Sequence, residues 1–218
     1  MKKRVSINRL MLLVITLTIT LTIVFPFKTD AKTPFTDIKG NDHYNAIVTL
    51  YESGIIFGRT SQEYKPSATI TRGETAQFIV NALGINNEEA KNPGYKDVST
   101  SHPYYKAIAI LTKRGVVGGY GNGKYGPNDS LTRSQAATMI TKAFELKASR
   151  ATKTKFTDVN KLTDPNAISY IQTLVDYGIT VGTTKTTFSP WMKLTRGHLA
   201  TFLYRAIEID ALEVVGIE

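Results

Sequence analysis

GGYGNGKYGPNDSLTRSQAATMI, residues 118–140, is the stretch on which the fold turns. Its first half is turn chemistry, with Gly, Asn, Pro and Asp in close succession. Its second half opens on Thr132-Arg133 and changes to a helical period, with Ala137, Ile140 and then Phe144 on one face. The same pattern occurs twice more. ITRGETAQFIVNAL begins at Ile70 and LTRGHLATFLYRAI at Leu194, against LTRSQAATMITKAF at Leu131. Counting back from each arginine (Arg72, Arg133, Arg196), a proline stands at the same distance (Pro66, Pro127, Pro190). An aromatic (Tyr64, Tyr125, Phe188) and two glycines (Gly58, Gly119, Gly182; Gly54, Gly115, Gly178) also keep step without a gap. Chance does not hold five positions in register three times, so the chain is a triplicate of small units that bury their faces on one another.

Further out, each unit opens on an aromatic-x-Asp-apolar step: Phe35-Thr36-Asp37-Ile38, Tyr95-Lys96-Asp97-Val98 and Phe156-Thr157-Asp158-Val159. A short run at helical spacing follows, such as Ile47 and Leu50 or Ile108 and Leu111, and stops at the first glycine, the usual left-handed helix end. Each unit therefore reads as helix, long glycine-rich loop, helix. The fold class is all-α, and strand pairing of the VVGGY-type stretches is the lesser alternative. The units run over 32–91, 92–151 and 152–210, joined by the polar segments NNEEAKNPG and KASRATKTK and followed by a short tail, 211–218.

Residues 1–31 read as a secretory leader: basic at Lys2, Lys3, Arg4 and Arg9, apolar from Leu10 to Phe27, with Thr29 and Ala31 placed for cleavage before Lys32. An uncleaved anchor is the alternative, and the leader is then the chain's only contact with a membrane. The leader carries five basic residues and one acidic, so without it the formal charge falls from +9 to +5. An exported chain of that modest charge does not point to nucleic acid, and an acidic surface polymer fits better. There is no cysteine, so packing between the units has to supply what disulfides often supply in exported proteins.

Thr71 with Glu74, and Thr132 with Gln135, have the spacing of capping boxes, which explains a helix start but not an arginine at its first position. A cation there opposes the helix dipole. A guanidinium beside free helix N–H groups makes a site for a carboxylate or phosphate, so Arg72, Arg133 and Arg196 are read as three anion-binding positions. The structural alternative is an ion pair from each arginine to Asp37, Asp97 or Asp158, and both roles can hold together. Gly58, Gly119 and Tyr120 are candidates for shaping the groove. The third copy departs, with His198 where Glu74 and Gln135 stand, so the three sites are expected to differ.

FxDV, a helix ending at glycine, and GGYGNGKYGPNDSLTRSQAATMI together resemble the S-layer homology module, and the resemblance covers about 32 to 210. It implies a pseudo-threefold helical bundle with prong-like loops. It also implies grooves between repeats that bind a secondary cell-wall polysaccharide of Gram-positive bacteria without covalent attachment, typically one bearing a pyruvate ketal. The family's motif arginine carries over to Arg72, Arg133 and Arg196, and its acidic partner only to Glu74. Such modules commonly accompany an enzyme or lattice domain, and none is read in these residues. The expected location is the cell wall or S-layer of a Gram-positive bacterium, with a surface-protein partner as the alternative occupant of the module.

No cofactor, metal site or catalytic residue is read. A glycan hydrolase wants two carboxylates at a set separation. Asp37 and Glu74 are the candidates, but Gln135 and His198 replace the glutamate in the other copies. The histidines, His43, His102 and His198, do not have metal spacing.

Overall fold

The computed structural model describes residues 33–215, with side-chain environments through 212. The leader read over 1–31 and its cleavage lie outside them. Among the described residues six α-helices come in three pairs: α1 Tyr44–Glu52 and α2 Arg72–Ala82, α3 Tyr105–Lys113 and α4 Arg133–Ala143, and α5 Pro165–Asp176 and α6 Arg196–Val215. A 3-10 turn, Val159–Lys161, precedes α5. Among the described residues there is no strand, including the stretch around Val116 and Val117. The all-α reading and the three helix-loop-helix units hold. The last helix runs past position 210 to Val215, without a break where the tail was expected.

The helices begin and end for local reasons. Thr71 and Thr132 cap α2 and α4, their hydroxyls accepting from the N–H of Glu74 and Gln135. Asp164 caps α5, and Pro165 takes its first position, where no N–H is missed. Gly54, Gly115 and Gly178 follow the first helix of each pair at φ 69, 70 and 67°, a region that favours glycine.

Helices pair across repeats. The first helix of each unit packs on the second helix of the unit before it, α3 on α2 and α5 on α4, and α1 closes the circle on α6. The circle is drawn tight at its axis by one residue from each copy. Ile70 N–H donates to the Leu194 carbonyl (3.1 Å), Leu194 N–H to Leu131 (2.8 Å) and Leu131 N–H to Ile70 (2.9 Å). Isolated bridges flank this ring at Thr69 with Thr195, Thr71 with Ser130, and Thr132 with Lys193. Ile70, Leu131 and Leu194 are fully buried, and burial of each contributes about 1.5–3 kcal/mol. Three units thus share one core, which one alone is too small to supply.

Candidate functional site

Each motif arginine leaves its own repeat and enters the loop of the next. Arg72 donates from Nε to the Tyr125 carbonyl (3.0 Å) and from Nη2 to Gly118 (2.9 Å). Arg133 donates from Nε to Phe188 (2.9 Å) and from Nη2 to Val181 (2.9 Å), with the Thr180 hydroxyl at 3.4 Å. Arg196 donates from Nε to Tyr64 (2.7 Å) and from Nη2 to Phe57 (2.5 Å). The acceptors are the same two positions in every copy: the loop aromatic, and the residue before the second glycine. Each guanidinium also lies over that aromatic ring, at 4.5 Å from the Tyr125 centroid, 4.4 Å from Phe188 and 4.4 Å from Tyr64.

The N–H groups at the helix starts are occupied as well. Arg72 N–H donates to Asp129 and Gly73 N–H to Pro127; Arg133 and Ser134 donate to Met192 and Pro190; Arg196 and Gly197 donate to Ala68 and Pro66. The expectation of free helix N–H groups beside the arginines is corrected here. The neighbouring loop's carbonyls fill the positions an anion would take, and they also offset the cost of a cation at a helix N-terminus. The arginines are 7%, 4% and 0% exposed, so what separates them is the remaining nitrogen, Nη1. In Arg196 it is bonded to the Glu74 carboxylate. In Arg72 and Arg133 it has no hydrogen-bond partner among the described residues. Among those residues Thr141 Oγ1 is the one fully buried side-chain nitrogen or oxygen left unpartnered, so neither Nη1 is fully buried.

Burial pulls the Arg196 guanidinium down to about 10, with Arg59 adding to the shift and Tyr64 and Asp37 opposing it, so it remains a cation at neutral pH. Burial lowers Arg133 too, against the nearby Asp158 charge. Glu74, 1% exposed, sits between Arg196 and Arg59, the latter at 2.9 Å. Its carboxylate is therefore spent, and the capping box expected at Thr71 is half made: the threonine accepts from Glu74 N–H, and no bond returns. The box at Thr132 is complete, with Gln135 Oε1 accepting from Thr132 N–H at 2.9 Å. In the third copy His198 Nδ1 lies 2.7 Å from the Thr195 hydroxyl and its ring is 4.7 Å from His43.

The aspartates are not ion-paired to the arginines; among the described residues no Asp–Arg salt bridge exists. Each instead accepts two consecutive backbone N–H groups of its own loop. Asp37 holds Tyr64 and Lys65 (2.9 and 2.7 Å), Asp97 holds Tyr125 and Gly126 (both 2.8 Å), and Asp158 holds Phe188 and Ser189 (3.0 and 2.7 Å). Burial pushes Asp97 and Asp158 up, but these N–H donors outweigh it and hold both carboxyls below their ordinary range. The bonds fix the turn that carries the aromatic. At its second residue φ is positive in all three copies, Lys65, Gly126 and Ser189.

Gly58 and Gly119 serve packing within their own repeats. A Cβ on Gly58 would lie 2.5 Å from Phe35 Cε1, and one on Gly119 would lie 2.8 Å from Tyr95 Cε1. Tyr120 lies at the junction of repeats one and two: half exposed, its ring is 4.9 Å from the Arg72 guanidinium and its hydroxyl donates to Asp129 (2.9 Å). Sequence reasoning did not find Arg59, Phe57, Gly118 or Val181. The three carbonyl acceptors differ in side chain, so no pattern marks them.

The geometry is one junction made three times. The family model of the S-layer homology domain matches residues 34–76, 94–137 and 155–200. The chain belongs to the S-layer homology family. It is 33% identical over 180 residues to the Surface-layer 125 kDa protein of Lysinibacillus sphaericus, covering 78% of this chain and 15% of that protein. It is 28% identical over 222 residues to an S-layer protein of Bacillus thuringiensis subsp. finitimus, covering 100% and 26%. A Cellulosome-anchoring protein of Acetivibrio thermocellus is 33% identical over 160 residues, covering 71% and 36%. The chain thus spans well under half the length of these relatives. Among its described residues no three His, Asp or Glu side chains gather as a metal site, and no helix is long and apolar enough to cross a membrane.

Proposed function

We propose that this S-layer homology chain is a cell-surface anchoring module of a Gram-positive bacterium. It is exported to the wall or S-layer and binds an acidic secondary cell-wall polysaccharide, one carrying pyruvate ketals, at the junctions between its repeats. The carrying observation is that Arg72 and Arg133 each keep one guanidinium nitrogen at the solvent boundary of a junction, beside exposed loop side chains such as Tyr120. A guanidinium edge so fixed is preorganised for a carboxylate. The names of the relatives, two surface-layer proteins and an anchoring protein, support the same reading. Arg196 differs because Glu74 already supplies its carboxylate, leaving Arg59 as the cation nearest solvent in that junction. Hydrolysis of wall glycan finds no support in Asp37 and Glu74. The first is bound to loop N–H groups and the second is buried between two arginines.

Co-sedimentation with purified walls tests the proposal. The protein is expected to pellet with intact walls, to stay in solution with walls stripped of polysaccharide, and to bind weakly once the ketal is hydrolysed. Equal pelleting in all three would refute it. The mass of the wall-bound chain tests cleavage before Lys32.

A further inference from the structure

The position three residues before the axial Ile70, Leu131 and Leu194 carries a different side chain in each copy: Ser67, Asn128 and Trp191. All three lie in the same turn. Ala68 N–H closes it on Lys65, Asp129 on Gly126 and Met192 on Ser189. All three side chains are exposed, so the fold makes this turn equally well with a serine, an asparagine or an indole. Trp191 is the only tryptophan of the chain and is 71% exposed. No packing of the described core calls for it.

Its backbone is nevertheless fixed. The carbonyls on either side, Pro190 and Met192, accept from Ser134 and Arg133 at 3.0 Å each. The indole is thereby mounted on the junction of repeats two and three, next to the arginine proposed to meet the ligand. Met192, also exposed, lines the same face as Trp191, and Val181, exposed as well, supplies the carbonyl at the far end of the Arg133 side chain.

Beside the indole lies an open cleft of about 550 Å³, into which Trp191, Lys161 and Thr163 all contribute. Asp158 is also on its wall, but its oxygens are taken by the N–H groups of Phe188, Ser189 and Val159. Lys161 and Thr163 are exposed, and no side-chain partner exists for either among the described residues. Asp158 stays an anion whose oxygens are engaged by those N–H groups, and Lys161 is the cation of the cleft wall, the group there that suits an anionic substituent. The 3-10 turn ending at Lys161 has no counterpart in the other two copies among the described residues.

We infer that Trp191, with Lys161 and Thr163, forms a second polysaccharide subsite beside the Arg133 junction. A pyranose ring lies with its apolar face on the indole, an acidic substituent meets Lys161 and a ring hydroxyl meets Thr163. This rests on the wall-polysaccharide reading above and adds to it a sugar-stacking platform specific to repeat three. An indole suits stacking because it offers a large rigid face with only two side-chain torsions to lose on contact.

The single tryptophan makes the test direct. Polysaccharide fragments released from the bacterium's own walls are titrated into the full chain while Trp191 emission and its quenching by acrylamide are followed. The expected result is a saturable emission change with protection from acrylamide. Trp191→Asn, which installs the residue found in copy two, is expected to weaken wall co-sedimentation about tenfold with an unchanged melting temperature. Lys161→Gln is expected to weaken it less, and only for fragments that keep their ketal. Unchanged emission at saturating fragment, together with Trp191→Asn sedimenting like the parent, would overturn the subsite and leave the anchoring reading standing. An emission change that follows protein concentration without fragments would assign the indole to self-association and overturn it too. Failure of the parent chain to sediment with walls at all would remove both.

Discussion

Replacing Arg196 with methionine should be the most damaging change at any of the three junctions. The methionine keeps an apolar stem against the Tyr64 and Phe78 rings, which flank the guanidinium at 4.4 and 5.6 Å, so packing loss is small. What is lost is polar. The Tyr64 and Phe57 carbonyls each lose a donor, at a net cost of about 1 kcal/mol each. Glu74, 1% exposed, loses its buried counter-charge, and breaking a buried pair from one side costs about 3–5 kcal/mol. Arg59, whose side chain is 39% exposed, still reaches Glu74 at 2.9 Å and moves the result to the lower end. The expected total is about 5 kcal/mol, or roughly 10–20 °C in melting temperature for a chain of this size. Arg133→Met, with no carboxylate to strand, should cost about 2–3 kcal/mol. The assay is urea unfolding followed by far-UV circular dichroism, comparing midpoints at constant slope. The cycle is completed by Glu74→Met alone and with Arg196→Met, where the double variant should lose about 2 kcal/mol less than the sum. An additive cycle, or an Arg196 variant no worse than the Arg133 variant, would show that the Arg196–Glu74 contact contributes nothing and would refute the reasoning.

Gly119→Ala should destabilise by about 1–3 kcal/mol, because its Cβ would meet the Lys124 carbonyl at 2.6 Å and the Tyr95 ring at 2.8 Å. Gly118→Ala, where nothing lies within 4 Å, should melt close to the parent. Leu131→Ala at the axis should cost about 2–5 kcal/mol in the same unfolding assay and lower unfolding of all three repeats together rather than one. Stability should fall with pH in two windows. Burial lowers His43 and His198 below the ordinary value, so their contribution is complete above about pH 6.5 and is lost as pH falls below it. The lowered Asp97 and Asp158 act likewise below about pH 4. Melting curves from pH 7.5 to 3 check both, and a His43→Gln/His198→Gln variant should flatten only the upper window.

The triplication, the helical elements and the identity of the key residues were legible because they are local. Period, cap and turn chemistry each act within a few residues, and three copies in register amplify them. Thr71 and Thr132 cap where the spacing placed them, and the first glycines stop helices as read. The reading failed where an interaction crosses a repeat boundary. A carboxylate three residues after a capping threonine reads as a capping box, yet Glu74 turns to Arg196, 122 residues away. An ion pair between each arginine and an aspartate stood as the structural alternative, yet Asp97 ties down its own loop while Arg133 goes to the next one.

The sequence by itself determined that three equivalent units exist, that each brings one arginine, and that the copies are not chemically identical. Only the tertiary structure decided which loop each arginine enters. That depends on closing a ring, in which α1 packs on α6 and Ile70 bonds to Leu194. Closure is a property of the whole chain: a repeat cannot encode its neighbour, so the same Thr-Arg step gives an edge facing solvent at Arg72 and Arg133 and a neutralised pair at Arg196.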